Sequence, residues 1–471
     1  MDQSSLAILA QGGKPGIVPP LDPGYRPASL ANRAFRAAVR ASGRGVPLVL
    51  ALERGDGQVS VYKTEVFAPD APEAGLNLPY AERLVKFLLW QKGGWRLVID
   101  GPAPLAAAIR AAYSPGGARD FDREFMSGVY ERPFVVEEAE PGKIPAANES
   151  GTALGGHLEG CRIGFDLGAS DRKVAALIDG RTVFAEEVVW HPKNHEDPAY
   201  HYHQIQSALH HAASFLPRVD AIGGSSAGVY INNRVMVASL FRAVPPERFT
   251  AGVKDLFLRI SREWGVPLEV INDGEVTALA GAMTLGDRAV LGVAMGSSEA
   301  AGYVTPEGKI TTWLNELAFA PVDYRPEAPV DEWSGDHGCG VQYFSQEAVI
   351  RLAGQAGVAL DGASTPAEKL KQVQQLLAEG DGRVRPIFET IGCYLGYAVA
   401  HYADYYDLRH LLILGRVTSG EGGRIILAEA SRVLAEEFPD LAAGIKLHLP
   451  EEEAERRVGQ AIAAASLPVL P

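Results

Sequence analysis

The spacing of apolar residues changes character near residue 160. Between residues 28 and 140, LANRAFRAAVRAS and YAERLVKFLLWQKGG carry apolar side chains three and four apart. This spacing predicts amphipathic helices, the second stopped by its glycines. VPLVLALERGDGQVSVYKTEVF predicts two strands around a Gly-Asp-Gly turn, WRLVIDGP a further strand, APLAAAIRAAY a helix and PFVVEEAE an edge strand. Residues 28–140 therefore read as a small α+β domain. Residues 1–27, rich in glycine and proline and without a period, read as an extended arm, and residues 141–160 as a linker.

After residue 160 strands alternate with helices, the pattern of an α/β architecture. CRIGFDLG, KVAALIDG and TVFAEEVVW read as strands, followed by a helix from about His203 to Phe215. VDAIGGSSAG, PLEVIND and AVLGVAMG are short apolar runs that end in small or polar residues, which predicts buried strands with loops at their ends. VKDLFLRISREWG and GEVTALAGAMTLG read as helices and EAAGYVTPEGKITTW as a hairpin. From Gln346 helices dominate until the strand HLLILG.

Composition narrows the class. Of 471 residues, 47% are hydrophobic and 22% charged, the balance of a soluble globular protein. A net charge of −14 disfavours general binding to nucleic acid or to an anionic membrane. No apolar run is long enough to span a bilayer, and MDQSSLAILAQGGKPG lacks the features of a signal peptide. Cys161, Cys339 and Cys393 lie far apart and form no CxxC pair, so neither a disulfide framework nor a cysteine-rich zinc site is expected. A reducing cytoplasm is the expected location.

Several strand ends carry residues suited to chemistry. In GFDLGASDRK, the small turn at Gly168 and Ser170 lets amides approach a phosphate, and the Asp166 carboxylate can hold magnesium through water. EVINDGEV sets Asn272 and Asp273 at the end of a buried strand just before a helix, where they serve as a helix cap or as catalytic groups. In GGSSAGVYINNRV, Ser225, Ser226, Asn232 and Asn233 serve either substrate hydroxyls or ordinary turn chemistry. DEWSGDHG places Trp333 among carboxylates, which suits either a sugar face or a surface loop with Trp333 buried in the small lobe. Six of the eleven histidines fall in residues 190–211, which reads as a polar rim or contact surface.

Taken in order with AVLGVAMGSSEAAGYVTPEGKI, NELAF, GDHGCGVQYFSQEAVIRLA, HLLILGRVTSG and the small-residue helix RRVGQAIAAASLP, these motifs resemble the ROK sugar kinases of the actin/hexokinase/Hsp70 superfamily. The resemblance covers roughly residues 160–466. It implies a two-lobed, ribonuclease-H-like ATPase core, with the α+β domain added in front. One lobe would span 161–285, with a C-terminal helix (452–468) returning to it, and the other 286–451. The implied activity is ATP- and magnesium-dependent phosphoryl transfer to a hydroxyl of a sugar or polyol. In that scheme Asp273 is the general base, and Asn272 and Glu316 bind the sugar. Asp166, through water, assists the magnesium-bound phosphates; Gly168 and Ser170 form the first phosphate turn. Gly296, Ser297, Ser298 and Gly302 form the second, and Gly415 lies in the adenosine loop. A homodimer is also implied.

The chain departs from the family at several of these places. Phe319 stands where members carry a histidine and Val341 where many carry a second sugar-binding glutamate. The family's three-cysteine zinc cluster is reduced to Cys339 with His337 nearby, so no structural zinc is expected. Ser298, Ala300 and Ala301 replace glycines, Glu299 brings a carboxylate to a phosphate loop, and Arg416 replaces a second adenosine-loop glycine. These changes keep a second reading open, a catalytically silent sugar sensor or scaffold. It would lack a DNA-binding domain, because residues 28–140 show neither a winged-helix pattern nor a basic recognition helix.

Overall fold

The chain folds into two units that interleave in sequence, Met1–Ser150 with Ala294–Ala300 and Thr312–Leu449, and Gly151–Val293 with Ala301–Thr311 and Pro450–Pro471. The structure is a computed structural model that describes every residue except 1–2, 141, 150, 153–154, 169–170, 361, 363–364, 451–452 and 471.

The first unit opens with a helix, α1 (Gln3–Gln11), inside the segment expected to be an extended arm. The rest of that segment is anchored: Tyr25 is fully buried, with its ring 4.7 Å from that of Tyr394, and Asp22 pairs with Arg325 at 2.7 Å. Helix α2 (Ala28–Ser42) follows, then strands β1 (Gly45–Glu53) and β2 (Val59–Phe67), helix α3 (Asn77–Lys92) and strand β3 (Arg96–Asp100). Helices α4 (Ala103–Ala112) and α5 (Asp120–Tyr130) precede the edge strand β4 (Val135–Glu138). The sheet order is β2-β1-β3-β4, with β4 at the edge and parallel to β3. This layer does not form a unit of its own; it shares one with residues 312–449. Arg33 and Arg36 of α2, for example, both pair with Asp404.

Helix α3 also differs from expectation. It is buried on every side rather than amphipathic, because its charges are matched inside the protein. Glu82, Arg83 and Lys86 of α3 join Arg119, Asp122 and Asp336 in a buried network of three cations and three carboxylates. Asp336 lies 3.1, 2.9 and 2.8 Å from Arg83, Lys86 and Arg119. The network ties GDHGCG to the N-terminal helices.

The second unit begins with β5 (Gly151–Thr152), β6 (Cys161–Leu167), β7 (Asp171–Ile178) and β8 (Arg181–Val189). Helix α6 (Pro198–Ala213), capped by Asp197, leads to β9 (Ala221–Ser226) and the hairpin β10 (Val229–Ile231) and β11 (Arg234–Val237). A single turn α7 (Pro246–Arg248), helix α8 (Leu256–Trp264), β12 (Leu268–Asn272) and α9 (Asp273–Leu285) complete the run. The sheet order is β12-β9-β6-β7-β8, with β12, β9 and β6 parallel. On one face Phe165, Ile222 and Val270 pack with Ile205, Leu209 and Phe257.

The chain then crosses between units in β13 (Val290–Met295) and β14 (Glu299–Val304) before β15 (Ile310–Thr311). Back in the first unit come α10 (Gln346–Gln355), α11 (Pro366–Ala378), the buried α12 (Arg385–Tyr402), β16 (His410–Leu414), α13 (Glu421–Glu437), α14 (Pro439–Ala442) and β17 (Lys446–His448). Helix α15 (Glu453–Ala465) lies on β6 and β9 of the second unit. Two glycines permit this approach: a Cβ on Gly164 or Gly223 would strike the Ala461 or Ala464 carbonyl.

Candidate functional site

In open sheets, ligands bind beyond the carboxyl ends of parallel strands. In the second unit those ends belong to β6, β9 and β12, and their register places Asp166 beside Ser225, and Ser225 beside Ile271. Asp166 is 4% exposed, and both its oxygens are engaged. Ser225 Oγ donates to Oδ1 at 2.6 Å and Lys173 Nζ to Oδ2 at 3.2 Å. Lys173 faces Asp166 directly across the β6–β7 pair and lies 3.4 Å from Asp171. Burial disfavours the lysine's charge, but the two carboxylates outweigh it and raise its pKa. The Gly168 amide is spent on the Asp171 carbonyl and its carbonyl on the Trp190 indole. Ser170 lies outside the described residues.

Asn272 caps α9: its Oδ1 accepts the Gly274 amide at 2.7 Å, and its Nδ2 donates to the Gly228 carbonyl at 2.7 Å. Asp273 begins the helix and is partly buried. Burial, reinforced by the charge of Asp166, pushes its pKa up to about 6. Ser226 is buried and shares a hydrogen bond of 2.6 Å with the Tyr230 hydroxyl. Asn232 and Asn233 form the β10–β11 turn, both at positive φ, as tight two-residue hairpins demand. The Asn233 amide binds the backbone of Leu268 and Val270, so its contacts here are structural. Gly302 lies buried within β14, and a Cβ there would strike the first turn of α9 at Gly274 and Glu275.

The remaining candidates belong to the first unit. Ser297 and Ser298 are exposed, Gly296 donates its amide to the Ser298 carbonyl, and its own carbonyl accepts the first amide of α10, from Gln346. Glu299 turns inward instead of facing that loop. It is 2% exposed, accepts a 3.3 Å hydrogen bond from Tyr402, and leaves Oε2 without a partner. Burial, with the nearby charge of Glu316, raises its pKa to about 8 despite the Tyr402 bond. Glu316 is partly buried, its amide bound to the Trp90 carbonyl. Phe319 is buried against Trp90, and Trp333 stands 59% exposed beside it. Gly415 adopts φ 100° and packs on the Met295 backbone, where a Cβ has no room. Arg416 is exposed.

Among the histidines, His201 is buried with Nε2 on the Pro192 and Leu240 carbonyls, and His195 stacks on Tyr200. Among the described residues no three His, Cys, Asp or Glu side chains converge as a metal site, and no helix is long and apolar enough to cross a membrane.

Comparison with known proteins finds no matching family model and no matching curated relative. Solved structures do match. A ROK-family glucokinase from Streptomyces griseus, in complex with glucose and AMPPNP, aligns with a TM-score of 0.50 at 19% identity, over 66% of this chain and 99% of that one. A ROK hexokinase from Thermus thermophilus aligns with a TM-score of 0.50 at 19% identity, over 65% of this chain and 97% of its own. A ROK-family transcriptional regulator, a homologue of the E. coli MLC protein, aligns with a TM-score of 0.52 at 18% identity, over 66% and 78%. The fold is thus that of the ROK sugar kinases, of the actin/hexokinase type.

Sequence reasoning did not assign Lys173. Pairing the strands on either side of the Gly168–Ser170 turn would have set it opposite Asp166.

Proposed function

We propose that this protein transfers the γ-phosphoryl group of ATP to a hydroxyl of a sugar or sugar-like polyol, in the cytoplasm and as a homodimer. The observation that carries the reading is Asp273. It is a carboxylate at the end of a parallel strand, its pKa raised to about 6, beside the buried Asp166–Ser225–Lys173 set. A base of that pKa is ionised at neutral pH and still basic enough to take a hydroxyl proton as the oxygen attacks phosphorus.

Asp166 has both oxygens hydrogen-bonded, which suits contact with a magnesium ion through water rather than direct ligation. Bound magnesium would neutralise charge on the phosphates. Lys173 fixes the Asp166 carboxylate and supplies a cation at the first phosphate turn. Asn272 already caps α9 and holds Gly228, so it orients Asp273 as well as meeting a sugar hydroxyl. Ser226, Asn232 and Glu316 are the further substrate contacts in this reading. Ser297, Ser298 and Gly415 are the nucleotide contacts in this reading, while Gly302 acts by seating α9.

One observation favours a silent sugar sensor as the second reading. The amides of Gly168 and Gly296 are satisfied within their own turns, so neither is free to cradle a phosphate as the loops stand. ADP release from magnesium-ATP across hexoses, amino sugars and inositols, with Asp273→Asn alongside, separates the two. Turnover with one compound, lost in the variant, supports the kinase. Silence across the panel, with no ATP-induced rise in melting temperature, leaves the sensor.

A further inference from the structure

A cavity of about 350 Å³ lies in the first unit, lined by residues of β1, β2 and α3 and by the turn after α12. None of its lining residues takes part in the proposed phosphoryl transfer. Its walls are Leu50, Tyr62 and Leu88, with Gln91, Lys92 and Tyr405 among the polar groups. The volume falls at the small end of ligand sites, roughly 300–1,000 Å³, enough for one ring and a charged substituent.

The polar groups of this cavity are incompletely used. Gln91 is fully buried; its Nε2 donates to the Tyr405 carbonyl at 3.1 Å, and its Oε1 has no partner. The Tyr405 hydroxyl is buried and also without a partner. A buried amide oxygen left unpaired is costly, so a ligand hydroxyl that donates to it gains a strong interaction.

Two of the three carboxylates on the cavity wall, Glu149 and Asp404, are paired with arginines; the third is Asp407. Glu149 pairs with Arg54 at 2.9 Å and accepts the Trp313 indole at 2.7 Å; Asp404 is held by Arg33 and Arg36. Lys92 has no such match: its Nζ sits over the Trp313 ring, 2.8 Å from the centroid, with no carboxylate in ion-pair range among the described residues. Burial lowers its pKa to about 7, although the charge of Glu149 opposes the shift.

We propose that this cavity binds a small polyhydroxylated anion, a sugar phosphate or sugar acid, with its anionic group on Lys92, a hydroxyl on Gln91 Oε1 and its ring face against Tyr62. The Tyr62 and Tyr405 rings, 5.5 Å apart, supply aromatic surface for the C–H face of such a ring. The proposal stands whether or not the protein is a kinase.

The test is calorimetric titration of the full chain with glucose 6-phosphate, glucuronate and glucose, repeated on Lys92→Met, Gln91→Leu and Asp273→Asn. At least one of the two anions should bind saturably, and at least tenfold more tightly than glucose. Lys92→Met should weaken that binding by about tenfold or more, and Gln91→Leu should also weaken it. Asp273→Asn should not change it, which separates this cavity from the transfer site. Reductive methylation of the wild type, read by mass spectrometry, should show Lys92 protected by the bound anion. That measurement keeps the proposal testable even if a variant misfolds. Absence of saturable binding by either anion, equal labelling of Lys92 with and without the anion, or affinity unchanged in both cavity variants would overturn it.

Discussion

Gly302 packs directly on Gly274: a Cβ on Gly302 would strike the Gly274 carbonyl and the Glu275 backbone, and a Cβ on Gly274 would strike the backbone of Ala301, the residue before Gly302. Helix α9, which presents Asp273, is seated on β14 through this contact. Gly302 is therefore a packing glycine, although its sequence context reads as a phosphate loop. Gly302→Ala should destabilise the protein by about 1–3 kcal/mol or more, because the obstruction is backbone and cannot swing aside. A shift of α9 would also misplace Asp273. Gly296→Ala is the control: a Cβ there meets only the Ser298 carbonyl at 3.8 Å, and the change should stay within about 0.5 kcal/mol. Urea denaturation of the two variants decides the point, and equal stabilities would refute it.

Asp273→Asn should remove turnover while leaving sugar binding in place. In the wild type, kcat/KM should rise with pH through about 6, as the carboxyl loses its proton and becomes a base. The stability prediction runs the other way. A carboxyl whose pKa is higher folded than unfolded favours folding while protonated, so wild-type stability falls as pH climbs from about 4 to about 6. Asn has no such slope. At pH 8 the variant should melt higher than the wild type, a stability gain bought with activity. Equal melting temperatures at pH 8 would show that burial of Asp273 carries no penalty.

The candidate site residues legible in the sequence are those whose neighbours are local. Asp166 with its turn and Asn272-Asp273 at a strand end stand out because strand, loop and helix follow within a few residues. The small-residue helix α15 is legible for the same reason, and Gly164 and Gly223 are its counterparts in β6 and β9. Pairings between distant segments were not legible. Arg83 and Lys86 read as the solvated face of an amphipathic helix, yet their partner Asp336 lies some 250 residues on. Tyr25 and Asp22 sit in a stretch without any period, and only the burial of Tyr343, Tyr394 and Arg325 against them gives that stretch its structure. Polar residues carry no periodic signal that tells a matched buried charge from an exposed one.

Glu299 gives a second pH signature. Its carboxyl is buried against Tyr402 and Gly340 near Glu316, with a pKa of about 8 folded against 4.5 ordinarily. Folding therefore retains a proton, and wild-type stability should decline as pH rises from about 4.5 to about 8. Glu299→Gln keeps the shape and the Tyr402 contact without the charge. The variant should match the wild type at pH 5 and exceed it at pH 9, in urea melts at each pH. A constant difference between the two proteins across that range would mean that Glu299 is not protonated in the fold.

The segment GDHGCG, which in the resembling family carries metal-binding cysteines, is held here by charge. Asp336 meets three cations from α3 and the start of α5, and although burial opposes its ionisation, Arg83 and Lys86 keep its pKa below the ordinary carboxylate range. Asp336→Asn would leave three cations facing only Glu82 and Asp122, and should destabilise by about 3–5 kcal/mol. Lys86→Met in the same chain restores the balance, so the double variant should lose less than the sum of the singles, an interaction measurable by a double-mutant cycle. Incubation with EDTA should leave the wild-type melting temperature unchanged. A drop on chelation that zinc reverses would show that a metal, and not this network, holds the segment.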